Sequence, residues 1–228
     1  MKIDALKGTG QTNVSEIKEK RMKIVIFGGT GSLGKSLVQQ SLELGHEVLV
    51  LTRTPSKMTM THEALTIVQG DGKDINAVSK AIEGQNIVFC AVGGQGLSDS
   101  TTRSSVTENI LAGMKEHNVS TLVTCSSLGA GESMHHLPLI SRWMVKIILR
   151  NAIDDHNKQE KMIRESGCDW IIIRPPRLID TEKTETYRIA EESEPFSASQ
   201  ISRADVAHFM LKVMNDKKFY KQAYTISV

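Results

Sequence analysis

A cluster of glycines lies between a short apolar run and a segment of helical periodicity. The segment Gly28-Gly29-Thr30-Gly31-Ser32-Leu33-Gly34 carries the spacing GxxGxxG. Glycines at this spacing allow a tight turn, and they let backbone N–H groups approach a pyrophosphate at the N-terminus of a helix. The motif predicts a dinucleotide site, with a turn that binds no ligand as the alternative. The candidate cofactor-binding residues of this loop are Gly28, Thr30, Gly31, Ser32, Leu33 and Gly34.

The residues after the second apolar run indicate which dinucleotide would bind. An acidic residue at this point binds the ribose 2′-hydroxyl of NAD, whereas basic residues accept the 2′-phosphate of NADP. The sequence reads Leu51-Thr52-Arg53-Thr54-Pro55-Ser56-Lys57 and contains no carboxylate. Arg53 can pair with the phosphate, while Lys57 is either a second phosphate ligand or a solvated surface charge. The segment therefore favours NADP(H) as the cofactor.

Two further loops with glycines follow the third and fourth apolar runs. Asp71 could hydrogen-bond the adenine amino group or form an ordinary Asx turn. The glycines after Val92 let the backbone pass close to a cofactor. Because ligands of open α/β sheets bind at the carboxyl ends of the strands, both loops face the same site as the first. The candidate cofactor-binding residues here are Asp71, Gly72, Val92, Gly93 and Gly94.

The sequence lacks a Tyr-x-x-x-Lys pair, which would protonate an alkoxide. Alcohol or ketone chemistry is therefore disfavoured, whereas flavin reduction needs only stacking and a hydride donor within reach. His156 and Glu160 lie one helical turn apart. They are either the remnant of an active site or the exposed face of an amphipathic helix, and the second interpretation is favoured. His135 and His136 lack further ligands at a usable spacing, so no metal site is predicted.

The elements that would position these residues alternate along the chain. Continuous apolar runs of four to six residues are typical of strands covered on both faces. The predicted strands are 23–27, 47–51, 65–68, 87–92, 122–125, 170–173 and 224–226, and the predicted helices are 32–44, 74–82, 103–117, 139–165 and 201–214. This alternation predicts an α/β fold with a Rossmann-type, doubly wound, mainly parallel sheet in a single domain.

Composition excludes several classes of protein. The 228 residues carry a net charge of +2, which gives no polyelectrolyte attraction to nucleic acid. Apolar stretches are too short to span a membrane, and three cysteines without paired spacing indicate a reducing compartment, so a cytoplasmic protein is expected. Residues 1–21 are polar and are predicted to be a flexible N-terminal extension of a domain over 22–228.

Several motifs in a fixed order resemble a known family. They are GGTGSLG, VLVLTR, GD before a helix, EGQNIVFCAVGG, TLVTCSS, the run from Asp154 to Gly167, and Arg174-Pro175-Pro176. Over about 22–228 the sequence resembles the atypical short-chain dehydrogenase/reductases, and within them the biliverdin IXβ reductase/flavin reductase group. The resemblance implies an NADPH-dependent reductase, able to act as a monomer, that passes a hydride to a flavin or a linear tetrapyrrole.

The resemblance also assigns roles to residues at the ends of later strands. It implies that Cys125 and Ser126 lie at the cofactor and that Ser127 is the active-site serine beside the nicotinamide and the substrate. Arg177 stands where the group has a histidine after its two prolines, and a guanidinium there could bind an anionic substrate group. Trp143 could line the acceptor pocket, although an apolar helix face is core at least as often.

Two other functions fit the same sequence. One is an NmrA-like sensor that binds NADP(H) without turnover and reports redox state to a protein partner. The other is an assembly or electron-transfer accessory protein on the same fold. Turnover of an acceptor would separate the reductase from both.

Overall fold

The central feature of the molecule is an eight-stranded sheet. The computed structural model describes residues 21–94, 100–131, 133, 149–192, 194 and 196–228. Within these residues the strand order is β3-β2-β1-β4-β5-β6-β10-β8, and only β8 runs antiparallel to its neighbour. The strands are β1 Lys23–Phe27, β2 Glu47–Thr52, β3 Leu65–Gln69, β4 Ile87–Cys90, β5 Thr121–Cys125, β6 Asp169–Arg174, β7 Arg177–Ile179, β8 Arg188–Glu191, β9 Gln200–Ser202 and β10 Gln222–Ser227. This topology confirms the predicted fold class.

Helices cover both faces of the sheet. They are α1 Ser32–Glu43, α2 Ile75–Ile82, α3 Thr102–Glu116, α4 Arg150–Glu165 and α5 Arg203–Val213. Helix α1 packs against α5 on one face, while α3 packs between α2 and α4 on the other. Alternate residues of β1 enter the two cores: Ile24 and Ile26 join the α1/α5 side, and Val25 and Phe27 join the α2/α3/α4 side. Because these strands are buried on both faces, their sequences are continuous apolar runs.

The structure departs from the predicted elements near the end of the chain. A small parallel sheet of β7 and β9 was not predicted. Ile201, predicted to begin a helix, lies in β9, and α5 begins at Arg203, where the Ser202 side chain accepts a hydrogen bond from the Asp205 N–H. Strand β4 ends at Cys90 rather than at residue 92. Of the predicted helix 139–165, the part before residue 149 lies outside the described residues, as do Trp143 and residues 1–20.

None of the helices that the structure describes is long and apolar enough to cross a membrane.

Candidate dinucleotide site

The loop between β1 and α1 exposes the N-terminus of a helix. Gly28 has φ +83°, and a Cβ there would lie 2.4 Å from the Ala91 carbonyl oxygen, so only glycine fits. Gly31 caps α1, and no side chain caps its first N–H groups. The first turn of α1 also contains no acidic residue. Free N–H groups and the positive end of the helix dipole therefore point out of this loop, as anion binding requires.

The last three residues of the motif have different roles. Ser32 is exposed, while Leu33 is buried in the core on the α1/α5 side. A Cβ on Gly34 would lie 2.1 Å from the Gly28 carbonyl oxygen, so its lack of a side chain lets the helix approach the loop. Leu33 and Gly34 thus make packing contacts that hold the loop in place.

A cleft runs along the carboxyl ends of the parallel strands from the glycine loop to the loops after β2, β3 and β4. It brings together most of the residues that the sequence predicts to bind the cofactor: Gly28, Thr30, Gly31, Arg53, Lys57, Asp71, Gly72, Val92, Gly93 and Gly94. Ser32, Leu33, Gly34, Cys125, Ser126, Ser127 and Arg177 are not among the described residues that line it. Lining residues missed by the sequence analysis include Lys73, Thr102 and Val106.

The end of the cleft at β2 and β3 is basic. Arg53, Lys57 and Lys73 line it, and Asp71 is the one carboxylate among the described lining residues. The Asp71 Oδ1 accepts a hydrogen bond from the Lys73 N–H at 3.0 Å. This is the Asx turn that the sequence left open for Asp71. Two cations in a segment after β2 that itself contains no carboxylate match the requirements of a 2′-phosphate.

The loop after β5 carries the predicted active-site serine. The Ser126 N–H donates to the Ile173 carbonyl at 2.7 Å, and the Leu128 N–H donates to the Pro175 carbonyl at 2.9 Å. The Ser127 hydroxyl is partly exposed and donates to the Leu128 carbonyl at 3.3 Å. The neighbouring Cys125 is partly buried, and burial raises the pKa of its thiol to about 12, which disfavours the thiolate that a nucleophile needs.

The prediction that His156 and Glu160 form an exposed helix face is wrong. His156 is 7% exposed and Glu160 2%, because α4 packs this face against the ends of β5 and β6. Arg174 donates from Nε to Glu160 Oε1 at 3.0 Å, and the Ser126 hydroxyl donates to the same oxygen at 2.6 Å. Burial, together with the charge of Arg103, lowers the pKa of His156 to about 4. His156 is therefore neutral at pH 7.

A buried ion-pair network joins the loops after β5 and β6. Arg174, 1% exposed, pairs with Glu160 and, through Nη1 at 2.7 Å, with Glu192. Arg164 reaches Glu192 at 2.8 Å. A Cβ on Gly131 would lie 2.2 Å from Arg174 Nη2, so the loop after β5 closes directly over the guanidinium. Paired charges are tolerated in the interior only with such full hydrogen bonding.

Neither of the two other predicted substrate residues, Arg177 and Trp143, is among the described residues that line the cleft. Arg177 is exposed in β7, opposite Gln200 of β9. Trp143 lies outside the described residues. No group of metal-binding side chains occurs in the part of the chain that the structure describes.

A doubly wound sheet with a glycine loop at the first helix defines a dinucleotide-binding protein of Rossmann type. The sequence matches the NAD(P)H-binding family over residues 28–217, and the chain belongs to that family. Among curated relatives, an isoflavone reductase homolog of Nicotiana tabacum is 26% identical over 89% of this chain and 67% of its own length. Eugenol synthase 1 of Petunia hybrida is 30% identical over 59% of this chain and 45% of its own length. The chain thus covers between about half and two thirds of the length of these relatives.

Solved structures share the fold. An anaerobilin reductase from Escherichia coli superposes with a TM-score of 0.77 at 19% identity, over 90% of this chain and 96% of that one. A short-chain dehydrogenase/reductase from Veillonella parvula, solved in complex with NADP, has a TM-score of 0.76 at 18% identity, over 91% and 94%. At these identities the likeness establishes the architecture.

Proposed function

We propose that this protein is an NADPH-dependent reductase that transfers a hydride to a conjugated, electron-poor acceptor, a flavin or a linear tetrapyrrole. The observation that carries the proposal is the cleft, in which an uncapped helix N-terminus and two basic side chains after β2 lie along one strand edge. The reductase names of relatives in the same family support the reaction class.

The residues of the cleft fit an extended dinucleotide. Backbone N–H groups at Gly28–Gly31 would hold the pyrophosphate, and Arg53 with Lys57 would hold the 2′-phosphate. Glycines at positions 93 and 94 would let the nicotinamide ribose approach β4, and Ser127 would face the nicotinamide. The bound cofactor supplies the hydride. This chain's residues orient it and exclude water from one side.

The acceptor class follows from the available proton donors. Tyr187 bonds His208 Nδ1 at 2.8 Å, Tyr220 donates to the Met214 carbonyl at 3.2 Å, and Tyr224 is buried beside Phe209. None of the three tyrosines lines the cleft among the described residues. With no tyrosine among the described residues of the cleft to donate a proton, the site suits an acceptor whose reduced form takes its proton from water.

The test is acceptor-dependent oxidation of NADPH by the purified chain, with FMN, riboflavin and a biliverdin β isomer, alongside titrations of NADPH and NADH. We expect turnover with at least one acceptor and tighter binding of NADPH than of NADH. A Gly31→Asp variant is the control, because it places a carboxylate where the pyrophosphate would bind. Binding without turnover of any acceptor would refute the reductase and favour the NADP(H) sensor.

We also propose that the protein acts as a monomer in the cytoplasm. Its free cysteines support a reducing compartment. Sedimentation equilibrium with and without NADPH tests the first part, and a dimer in both conditions would contradict it.

A further inference from the structure

Arg103 lies beside the cleft, next to residues that line it, and is not itself among the described lining residues. It is the second residue of α3, whose residues Thr102 and Val106 line the cleft. Its guanidinium packs on the loop after β4: a Cβ on Gly94 would lie 2.8 Å from Arg103 Nη1 and 3.0 Å from Nη2. The absence of a side chain at Gly94, another lining residue, therefore gives the guanidinium its room.

A buried carboxylate fixes the orientation of Arg103. Asp155 of α4 is 0% exposed, and its Oδ2 lies 3.6 Å from Arg103 Nη1. The same carboxylate accepts hydrogen bonds from the backbone N–H of Arg103 at 2.9 Å, from the backbone N–H of Ser104 at 3.0 Å and from the Ser104 hydroxyl at 2.6 Å. These bonds do not depend on the Arg103 side chain. The carboxylate therefore stays satisfied when that side chain is changed.

One nitrogen of the guanidinium lacks a hydrogen-bond acceptor. Arg103 Nη1 is buried and makes no hydrogen bond within the described part of the chain. A buried donor without an acceptor is costly, and a ligand oxygen or nitrogen beside it would remove that cost.

The strand order gives the half of the cleft to which Arg103 belongs. Strands β2 and β3 lie on one side of β1 and carry the basic residues for the adenosine phosphate, whereas β4 and β5 lie on the other side. Helix α3 follows β4 in the chain, and the Arg103 guanidinium packs on Gly94 in the loop after β4. Arg103 therefore belongs to the β4 side of the cleft, where the nicotinamide half of the proposed cofactor would lie.

We propose that Arg103 is a catalytic residue that stabilises the negative charge gained by the acceptor during hydride transfer. The inference rests on the proposed function. A hydride leaves the nicotinamide C4 and forms a bond to the acceptor, while an electron pair of the conjugated acceptor moves to its oxygen or nitrogen. Arg103 donates to that anionic atom until water protonates it. A fixed cation in this place supplies the electrostatic stabilisation that no tyrosine provides.

The same cation acts on the cofactor in a way that binding alone can measure. Oxidised nicotinamide carries a positive charge and reduced nicotinamide does not, so Arg103 disfavours NADP⁺ relative to NADPH. Replacement of Arg103 by Gln should lower the Kd of NADP⁺ relative to that of NADPH by about three- to tenfold. Arg103→Lys keeps the charge and should keep the ratio near that of the wild type.

The experiment compares wild type, Arg103→Gln, Arg103→Lys and the control Arg150→Gln, which removes an exposed cation, with 77% side-chain exposure, from the start of α4. Titrations give Kd for NADP⁺ and NADPH, and acceptor-dependent oxidation gives kcat. We expect Arg103→Gln to lower kcat by about 100-fold, the usual loss for one donor to a developing anion, with partial rescue by Lys and no change in the control.

If Arg103→Gln shifts the Kd of NADP⁺ and the Kd of NADPH equally, Arg103 binds a phosphate and the proposal is wrong. An unchanged kcat in Arg103→Gln would also overturn the proposal. Wild-type binding without turnover refutes the reductase instead, and the ratio of Kd values still decides whether Arg103 faces the nicotinamide. Thermal unfolding of each variant identifies a loss of fold. Should Arg103→Gln not fold, Arg103→Met, which also removes the charge, takes its place: a lowered Kd ratio of NADP⁺ to NADPH in that variant supports the proposal and an unaltered ratio contradicts it.

Discussion

The substitution Gly31→Asp should stabilise the fold while it strongly weakens cofactor binding. Gly31 is the N-cap of α1 with φ −75°, a conformation open to any residue, and a Cβ there meets nothing closer than the Gly28 carbonyl oxygen at 3.4 Å. Asp is among the best N-caps, because its carboxylate accepts from the free N–H groups of the first turn. With the helix dipole added, we expect a gain of about 0.5–1 kcal/mol in the free energy of unfolding.

The same carboxylate would occupy the donors that a pyrophosphate needs. Repulsion between a carboxylate and a phosphate about 5 Å away costs about 2–4 kcal/mol at the dielectric of a protein surface. This cost corresponds to a rise of about 30-fold to 900-fold in the Kd of NADPH. Because binding and stability should move in opposite directions, misfolding cannot explain the loss.

Urea unfolding measures the stability and fluorescence titration of NADPH measures the binding. Gly31→Ala is the matched control, since it adds a Cβ without a charge and should retain NADPH binding within a few-fold. If Gly31→Asp binds NADPH as tightly as the wild type, the pyrophosphate does not lie at α1, and the assignment of the glycine loop is wrong.

Four further predictions address the other parts of the site. Arg53→Ala should weaken NADPH binding by about 1.5–3 kcal/mol and leave NADH nearly unchanged; equal losses in titrations would contradict the 2′-phosphate role. Ser127→Ala should lower kcat with little change in NADPH affinity, and an unaltered rate with every acceptor would remove it from the site. Glu160→Gln should lower the free energy of unfolding in urea by about 3–5 kcal/mol, because it leaves Arg174 buried with one carboxylate fewer. The double variant Glu160→Gln with Arg174→Met should recover part of that loss. No recovery would show that the ion pair is not the cause. Folding lowers the pKa of His156 from 6.5 to about 4, so the unfolded chain binds more protons than the folded chain between these pH values. The free energy of unfolding should therefore fall as the pH drops below about 6.5, by up to about 1.4 kcal/mol per pH unit. A pH dependence of stability that His156→Gln leaves unchanged would refute this.

The local pattern was sufficient to predict the parallel sheet. Strands such as β1 and β4 are buried on both faces, and their continuous apolar runs carry that information in the sequence. The glycine loop and the basic tip of β2 were predictable for a similar reason. Their chemistry depends on residues that are adjacent in sequence and on the shared edge of parallel strands.

Features that depend on distant partners were not predictable in this way. Glu160 has the spacing of an exposed helix face, and its burial is stable because it pairs with Arg174 of β6. Strands β7 and β9 have three residues each, too few for a periodicity to be recognised. The environment of Arg103 could not be predicted either, because nothing near it in sequence reveals Asp155, which lies 52 residues later.

The position of β10 affects the order in which the chain can fold during synthesis. This strand inserts between β6, to which it is parallel, and β8, to which it is antiparallel. Both neighbours leave the ribosome before it, so each presents an unpaired edge to chaperones or to other nascent chains until Gln222–Ser227 emerges. The glycine loop and its strands are complete much earlier. A chain stalled before residue 222 should therefore aggregate even though every residue of the proposed cofactor cleft is already made.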